Sequence, residues 1–384
     1  MKQIDKTYVA NTYNRFDLEI VSGKGSLVYD EKGNEYIDMG SGIGVTALGH
    51  CDEGWKAAVT EQLGKVSHTS NLYYTHPCAL LAEQLCKRTG MSKVFFSNSG
   101  AEANECAVKL ARKYAAERKG EEYYHIITLE NSFHGRTLTT LAATGQDHFH
   151  KLFQPLTPGF LHVPANDIYT LKIAIHSHKV AGILMECVQG EGGVRALDAE
   201  YVKAVAEICA KEDIVLMIDE VQSGNGRSGA LYSYMNYGIT PDVVTTAKGL
   251  AGGLPLGATL MSKKMESVLG FGDHGSTFGG NPIASAAALH VLSRIDDDML
   301  AEVRKKSQFV FDALSDCPGI ESVSGMGLMI GIKTVKPAAE VLKTCMANGV
   351  LCLTAKDKLR LLPALNIPME LLEKAVNVIR SAVC

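Results

Sequence analysis

Two residues with complementary chemistry close two apolar runs near the middle of the chain. Ile214–Ile218 suits a buried strand and ends on Asp219 and Glu220. Val243–Thr246 is a second β-rich run, followed almost at once by Lys248 and by Gly249, Gly252 and Gly253. An acid closing one buried strand and a lysine just past the next can converge on one edge of a parallel sheet, the edge at which α/β sheets bind ligands. A lysine in a largely apolar site has its pKa lowered by desolvation and can form a Schiff base with an aldehyde. A carboxylate beside a pyridine nitrogen can keep that nitrogen protonated, so that the ring accepts electrons.

Other residues could complete such a site. Ser99-Gly100-Ala101 follows a short strand, Lys93–Phe96, and opens a helical stretch running to about Arg118. It reads either as a well-capped helix or as a phosphate cradle of free N–H groups. Phe133 and Arg136 flank Gly135 on a strand-to-helix loop after Ile126–Leu129. There they could stack on a planar ligand and clamp a carboxylate, or be a core ring and a surface charge. Glu191 lies between Gly190 and Gly192, where a carboxylate can move. Ser276 and Thr277 sit in a glycine-rich loop and are further candidates for a phosphate contact. Arg360, within the apolar KLRLLPAL, is either paired or a carboxylate receptor. Together these residues describe one pyridoxal-phosphate site.

Several tempting patterns carry less. Gly224–Gly229 matches G-x-G-x-x-G, but EVQS separates it from its strand and no acid follows about 20 positions later to take a ribose hydroxyl. A nicotinamide-dependent dehydrogenase is therefore the alternative of a different class. The pairs His148/His150 and His176/His178 lack the third and fourth ligands a metal needs, and read as solvated surface histidines; no metal site is expected.

The elements that must position these residues follow from length and pattern. With 384 residues and 46% hydrophobic content, the chain can bury a large core. A formal net charge of −4 gives no basic excess for nucleic acid or a membrane surface. The N-terminal stretch has no apolar signal region, and ten scattered cysteines without a C-x-x-C pair fit a reducing compartment; a soluble, cytoplasmic protein is expected. Residues 1–50 read as strand and turn, with a hairpin over Gly25–Asp38 and a glycine cluster, Gly40 to Gly49, that is either a flexible turn or a wall of the site. Helices are expected at Trp55–Lys65, Ala79–Thr89, Ala199–Lys211 and Ile283–Ile295, and strands at Val180–Met185, PLGATLMS, Met326–Lys333, Val350–Leu353 and Lys358–Leu362. Strands alternating with helices over 90–260 imply an α/β fold with a mostly parallel, doubly covered sheet, and the C-terminal segments a smaller α+β domain.

The motifs FFSNSGAEANE, NSFHGRTLTTLAATGQ, VQGEGGV, IDEVQSGNGRSG, TTAKGLAGGLPLGA and STFGGNP resemble, in order, those of class III pyridoxal-phosphate aminotransferases, and look most like the acetylornithine aminotransferase branch. The resemblance spans nearly the whole chain. It implies a fold-type-I enzyme with a seven-stranded-type sheet. Residues 1–50 and 283–384 would form a small domain around a large cofactor domain at 51–282. It further implies that Lys248 bonds the cofactor and shuttles the proton, and that Asp219 pairs the ring nitrogen. Gln222 would reach the ring hydroxyl, and Val221 and Phe133 would sandwich the ring. Ser99, Gly100 and Ala101 would hold the phosphate, joined by Thr277 from the other subunit of a homodimer. Arg136, Ser276, Glu191 and Arg360 fall to the substrate: Arg136 takes a carboxylate, and Arg360 switches between Glu191 and the second carboxylate of glutamate. The implied reaction is a ping-pong amino transfer between N-acetylornithine and 2-oxoglutarate, in arginine synthesis. Succinylornithine, ornithine, 4-aminobutyrate or N-succinyl-diaminopimelate are the alternative donors. Two departures stand out: Glu186-Cys187 replaces a usual Glu-Pro, and Ile43 stands at or near a position where ornithine enzymes look to carry a tyrosine. An isoleucine there suits an acylated amine.

Overall fold

The computed structural model describes residues 1–384. Its centre is a seven-stranded sheet in the order Lys93–Ser97, Gly257–Met261, Val243–Thr246, Val215–Asp219, Val180–Met185, His125–Leu129, Phe160–Val163. The last five strands run parallel to one another. Gly257–Met261 is antiparallel to both of its neighbours. Every residue of Val180–Met185, Val215–Asp219, Val243–Thr246 and Gly257–Met261 is buried. That explains their unbroken apolar or small-residue runs, since helices cover both faces of such a sheet.

Two smaller sheets draw on both ends of the chain. Ile20–Lys24, Leu27–Asp30 and Glu35–Asp38 form an antiparallel meander, and Val350–Leu351 joins its edge parallel to Glu35–Asp38. Ile320–Met326, Met329–Thr334, Lys358–Leu361 and Leu353–Ala355 make the other. One hydrophobic cluster continues from Ile218 and Val244 in the large sheet to Ile37, Ile330 and Val350 in the small ones. The outer sheets are thus anchored to the core that carries the central strand edge. All ten cysteines are free. No helix is long and apolar enough to cross a membrane.

Some expectations need correction. The N-terminal fifty residues are not only strand and turn, because Lys2–Tyr8 is helical, although none of its residues is buried. The single strand expected over Met326–Lys333 is instead a tight hairpin. Gly327, at φ 59°, makes the turn, and a Cβ there would lie 2.6 Å from Ser228 C. Val350–Leu353 is likewise split, its two halves pairing in different sheets. His150 is not a solvated histidine: its Nε2 lies 3.0 Å from the Leu141 carbonyl and 2.8 Å from that of Thr144.

Candidate active site

Four neighbouring parallel strands deliver their chemistry to one edge. Asp219 is the last residue of the 215–219 strand, Glu186 follows 180–185, Lys248 lies two residues past 243–246, and Phe133 and His134 lie on the loop after 125–129. These ends line one cavity of about 450 Å³, together with Ser99, Gly100, Ala101, Arg136, Glu191, Val221 and Gln222. Sheet topology therefore brings together residues far apart in sequence at the carboxyl edge where α/β proteins bind ligands.

Asp219 is buried, and both of its oxygens are held by the chain. Its Oδ1 accepts the Val221 N–H at 2.9 Å, and its Oδ2 lies 2.8 Å from both Asn104 Nδ2 and His134 Nδ1. Asn104 is oriented in turn by Thr245 Oγ1 at 2.7 Å and by the His134 carbonyl at 2.8 Å. Asn104 and His134 were not singled out in the sequence. The only available signal was their position, one turn inside the helix after Ser99 and beside Phe133. The carboxylate is thus aimed by a helix, a loop and a neighbouring strand at once, as a group meant to meet one atom of a ligand requires.

Lys248 adopts φ 44°, an uncommon conformation for a non-glycine residue and one that recurs at functional sites. Burial holds its amine below the ordinary lysine value, against the opposing pull of Glu191 and Asp219. Burial and the Asp219 charge hold Glu186 well above the ordinary carboxylate range. One acid pushed up and one amine pushed down thus share this cavity.

The helix Gly100–Lys119 starts at the cavity. Ser99 is its N-cap, accepting the Glu102 N–H at 3.2 Å and donating to Glu102 Oε2 at 2.9 Å. The two readings of this stretch coincide: it is a capped helix whose first N–H groups, on Gly100 and Ala101, precede the first intrahelical bond and line the cavity. A Cβ on Gly100 would sit 2.6 Å from Val221 Cγ1, so only glycine lets the helix start pack there.

At the far side Arg360 is buried, with Nη1 2.6 Å from Glu191 Oε1 and 3.2 Å from Gln222 Oε1. Gln222 Nε2 closes the triangle at 3.4 Å from Glu191 Oε1. Burial pushes the Glu191 carboxyl up, but the Arg360 charge and hydrogen bond outweigh it and hold it below the usual range. Gln222, expected at a ring hydroxyl, here bridges the two members of the switch. Arg136 is exposed, its guanidinium 4.4 Å from the Phe149 ring centroid and 5.5 Å from that of Phe133.

Arg360 does not itself line the cavity but bonds Glu191 and Gln222, which do, and three other expected residues do not reach it within the chain. Ser276 turns its hydroxyl to the Gly279 N–H at 2.9 Å and to Asn98 Nδ2 at 3.3 Å. Thr277 is exposed on the same loop. Ile43, at φ 66°, also faces outward, and Val45 lines the cavity in its place. None of the Gly224–Gly229 residues lines the cavity. That loop is a run of turns whose buried Arg227 donates to the carbonyls of Leu328 and Pro363.

The cavity matches pyridoxal phosphate in its donor set. A carboxylate, an amine and a helix N-terminus face one space, with Phe133 and Val221 as apolar walls. Comparison with known proteins agrees. The profile of the family described as Aminotransferase class-III matches residues 8–383. An acetylornithine aminotransferase of Haemophilus ducreyi is 51% identical over 381 residues, 99% of this chain and 97% of that protein. One from Methanocaldococcus jannaschii is 42% identical, covering 97% and 95%. Among solved structures, the N-acetylornithine aminotransferase of Stenotrophomonas maltophilia superposes with a TM-score of 0.87 at 34% identity, covering 100% of this chain and 98% of that one. The ornithine aminotransferase of Toxoplasma gondii superposes with 0.95 at 30%, covering 100% and 94%. With its fold, its cavity and its full-length likeness in agreement, this chain belongs to the class III, pyridoxal-phosphate-dependent aminotransferases.

Proposed function

We propose that the protein transfers the terminal amino group of N2-acetyl-L-ornithine to 2-oxoglutarate by a ping-pong reaction, giving N-acetyl-L-glutamate 5-semialdehyde and L-glutamate. The observation that carries this is the Arg360–Glu191–Gln222 triangle, in which Glu191 and Gln222 line the Lys248 cavity and Arg360 is bonded to both of them. A donor with an uncharged segment leaves Glu191 seated on Arg360, so the buried guanidinium stays compensated. A dicarboxylic acceptor supplies its own carboxylate to Arg360, and Glu191, between two glycines, can swing aside. Exposed Arg136 is placed to take the carboxylate at the outer end of the donor.

When bound, pyridoxal phosphate takes up the amino group and accepts the electrons released at the substrate carbon. The chain's own residues do the rest. Lys248, whose amine burial holds below the ordinary lysine value, would take the proton from the substrate carbon and deliver it to the cofactor carbon that gains the amino group. Asp219, aimed by Asn104 and His134, holds the proton on the ring nitrogen. Phe133 and Val221 exclude water from the ring faces, and the Gly100 and Ala101 N–H groups fix the phosphate. We further propose a homodimer whose Thr277 reaches the partner's phosphate, a cytoplasmic location, and a small domain of residues 1–50 and 283–384 around a large domain of 51–282.

The substrate is tested by comparing kcat/KM for N-acetylornithine, succinylornithine, ornithine, 4-aminobutyrate and N-succinyl-diaminopimelate, each with 2-oxoglutarate. The first should lead. A preference for another donor refutes the assignment of substrate and leaves the aminotransferase standing.

A further inference from the structure

Glu186 has no part in the chemistry above, yet it lines the cavity and is only 7% exposed. Its Oε1 accepts the Phe133 N–H at 3.1 Å, and its Oε2 accepts the Gly190 N–H at 3.2 Å. These two N–H groups belong to different loops. One carries Phe133 and Arg136; the other, inside the small hairpin of Val188–Gln189 and Arg195–Ala196, carries Glu191. A second tie, Gln189 Nε2 to the Glu130 carbonyl at 2.9 Å, joins the loops at their bases.

We propose that Glu186 is a positioning residue whose carboxyl group couples the loop covering the cofactor ring to the loop carrying the Glu191 switch. The proposal rests on reading the cavity as the pyridoxal-phosphate site. Its physical basis is that each buried N–H needs an acceptor, and one carboxyl at the end of a rigid strand supplies both. The group stands beside Asp219: ligand atoms of Glu186, His134 and Asp219 all lie within 4.8 Å of one another. Burial and the Asp219 charge push the Glu186 pKa up, while the Phe133 N–H and the Lys248 amine pull it down, so the N–H bonds the brace accepts are part of what keeps it a double acceptor beside the carboxylate that serves the ring. An unbraced Glu191 loop seats Glu191 less well on Arg360, which penalises the half-reaction that needs that pair.

The test uses the full chain with Glu186→Gln and Glu186→Ala. Glutamine keeps the shape but offers one acceptor oxygen and turns an NH2 toward the other N–H, so it holds one loop; alanine holds neither. Calorimetric titration of the cofactor-free protein with pyridoxal phosphate should show affinity falling about tenfold in Glu186→Ala, equivalent to about 1.4 kcal/mol, and less in Glu186→Gln. In the reconstituted enzymes, kcat/KM should drop further for the amine donor than for 2-oxoglutarate, because the acceptor displaces Glu191 in any case. If Glu186→Ala does not fold, the isosteric Glu186→Gln decides. Cofactor affinity within twofold of the parent and an unchanged ratio between the two substrates, whatever the Tm, would overturn the proposal. A parent protein that binds no pyridoxal phosphate would instead overturn the reading of the site itself.

Discussion

Arg360 is a buried guanidinium whose Nε has no hydrogen-bond partner, so its charge rests on Glu191 and the Gln222 amide alone. Removing one member of such a pair costs more than the pair is worth, because the other charge is left stranded. For Arg360→Ala we expect kcat/KM for 2-oxoglutarate to fall about 100-fold and for the amine donor about tenfold, within the range measured for truncated buried charge pairs. Stopped-flow measurement of the separate half-reactions checks this, and equal losses would count against the switch. Lys248 makes a second prediction at this scale, on the cofactor-free protein. Its folded pKa lies below the ordinary 10.5. In the interval between the two values the unfolded chain binds more protons than the folded one, so this group's contribution to stability rises with pH. Lys248→Met lacks that slope. The variant should therefore melt above the parent at neutral pH, with the gap narrowing as pH approaches 10.5. A gap that does not change with pH would show that the amine is not desolvated.

At the scale of elements, the start of the Gly100–Lys119 helix is the most exacting joint. A Cβ at Gly100 would lie 2.6 and 2.8 Å from the two methyl carbons of Val221, and valine is too stiff at χ1 to withdraw freely. Gly100→Ala should push Val221 into the ring space and weaken pyridoxal-phosphate binding by about tenfold or more, as overpacking a rigid site does. Titration of the cofactor-free variant measures it; parental affinity would mean that the close approach is not needed. This joint was legible in the sequence because a short strand, Ser-Gly and a helix with acids first and bases last form one local pattern. The strands ending at Met185, Asp219 and Thr246 were legible for a related reason, since buried parallel strands are unbroken apolar runs. The direction of Gly257–Met261 was not, because an antiparallel strand buried on both faces has the same composition. Nor was the turn at Gly327, where one glycine inside an apolar stretch divides two strands. His134 and Asn104 were invisible for a different reason: their importance comes from meeting Asp219 across three elements, and no spacing along the chain encodes that. Glu220, adjacent to Asp219, shows the converse. It is fully buried and satisfied by Ser223, Ser233 and the Tyr234 N–H, so it braces the loop rather than facing the cavity.

For the whole molecule, the loop with Ser276 and Thr277 raises the question of assembly. It is held to the segment before the helix His76–Thr89 by Asn71 Nδ2, which donates to the carbonyls of Ser276 and Gly279. Leu72, Tyr73, Tyr74 and Phe278 are all exposed on this face, and His68 stacks on Phe278 at 4.8 Å. Exposed apolar and aromatic side chains of this kind are characteristic of a protein interface. If this face packs on a second copy by a two-fold axis, each Thr277 is carried toward the other subunit's cavity, and each active site is built from two chains. That arrangement makes a sharp prediction for mixed dimers. Lys248→Ala alone and Thr277→Asp alone should each be nearly inactive, the first for want of the amine and the second because a carboxylate repels phosphate. In a dimer of one subunit of each kind, one site pairs an intact Lys248 with an intact Thr277 from the other chain, while its counterpart carries both defects. Random mixing makes half of the dimers mixed, so activity per subunit should return to about a quarter of the parent's, as two-fold symmetry dictates. Co-expression of the two variants under different affinity tags, followed by purification through both, should raise this to about half. If Thr277 serves the cavity of its own chain, no mixed dimer contains a native site, and the doubly purified species will be as inactive as its parts.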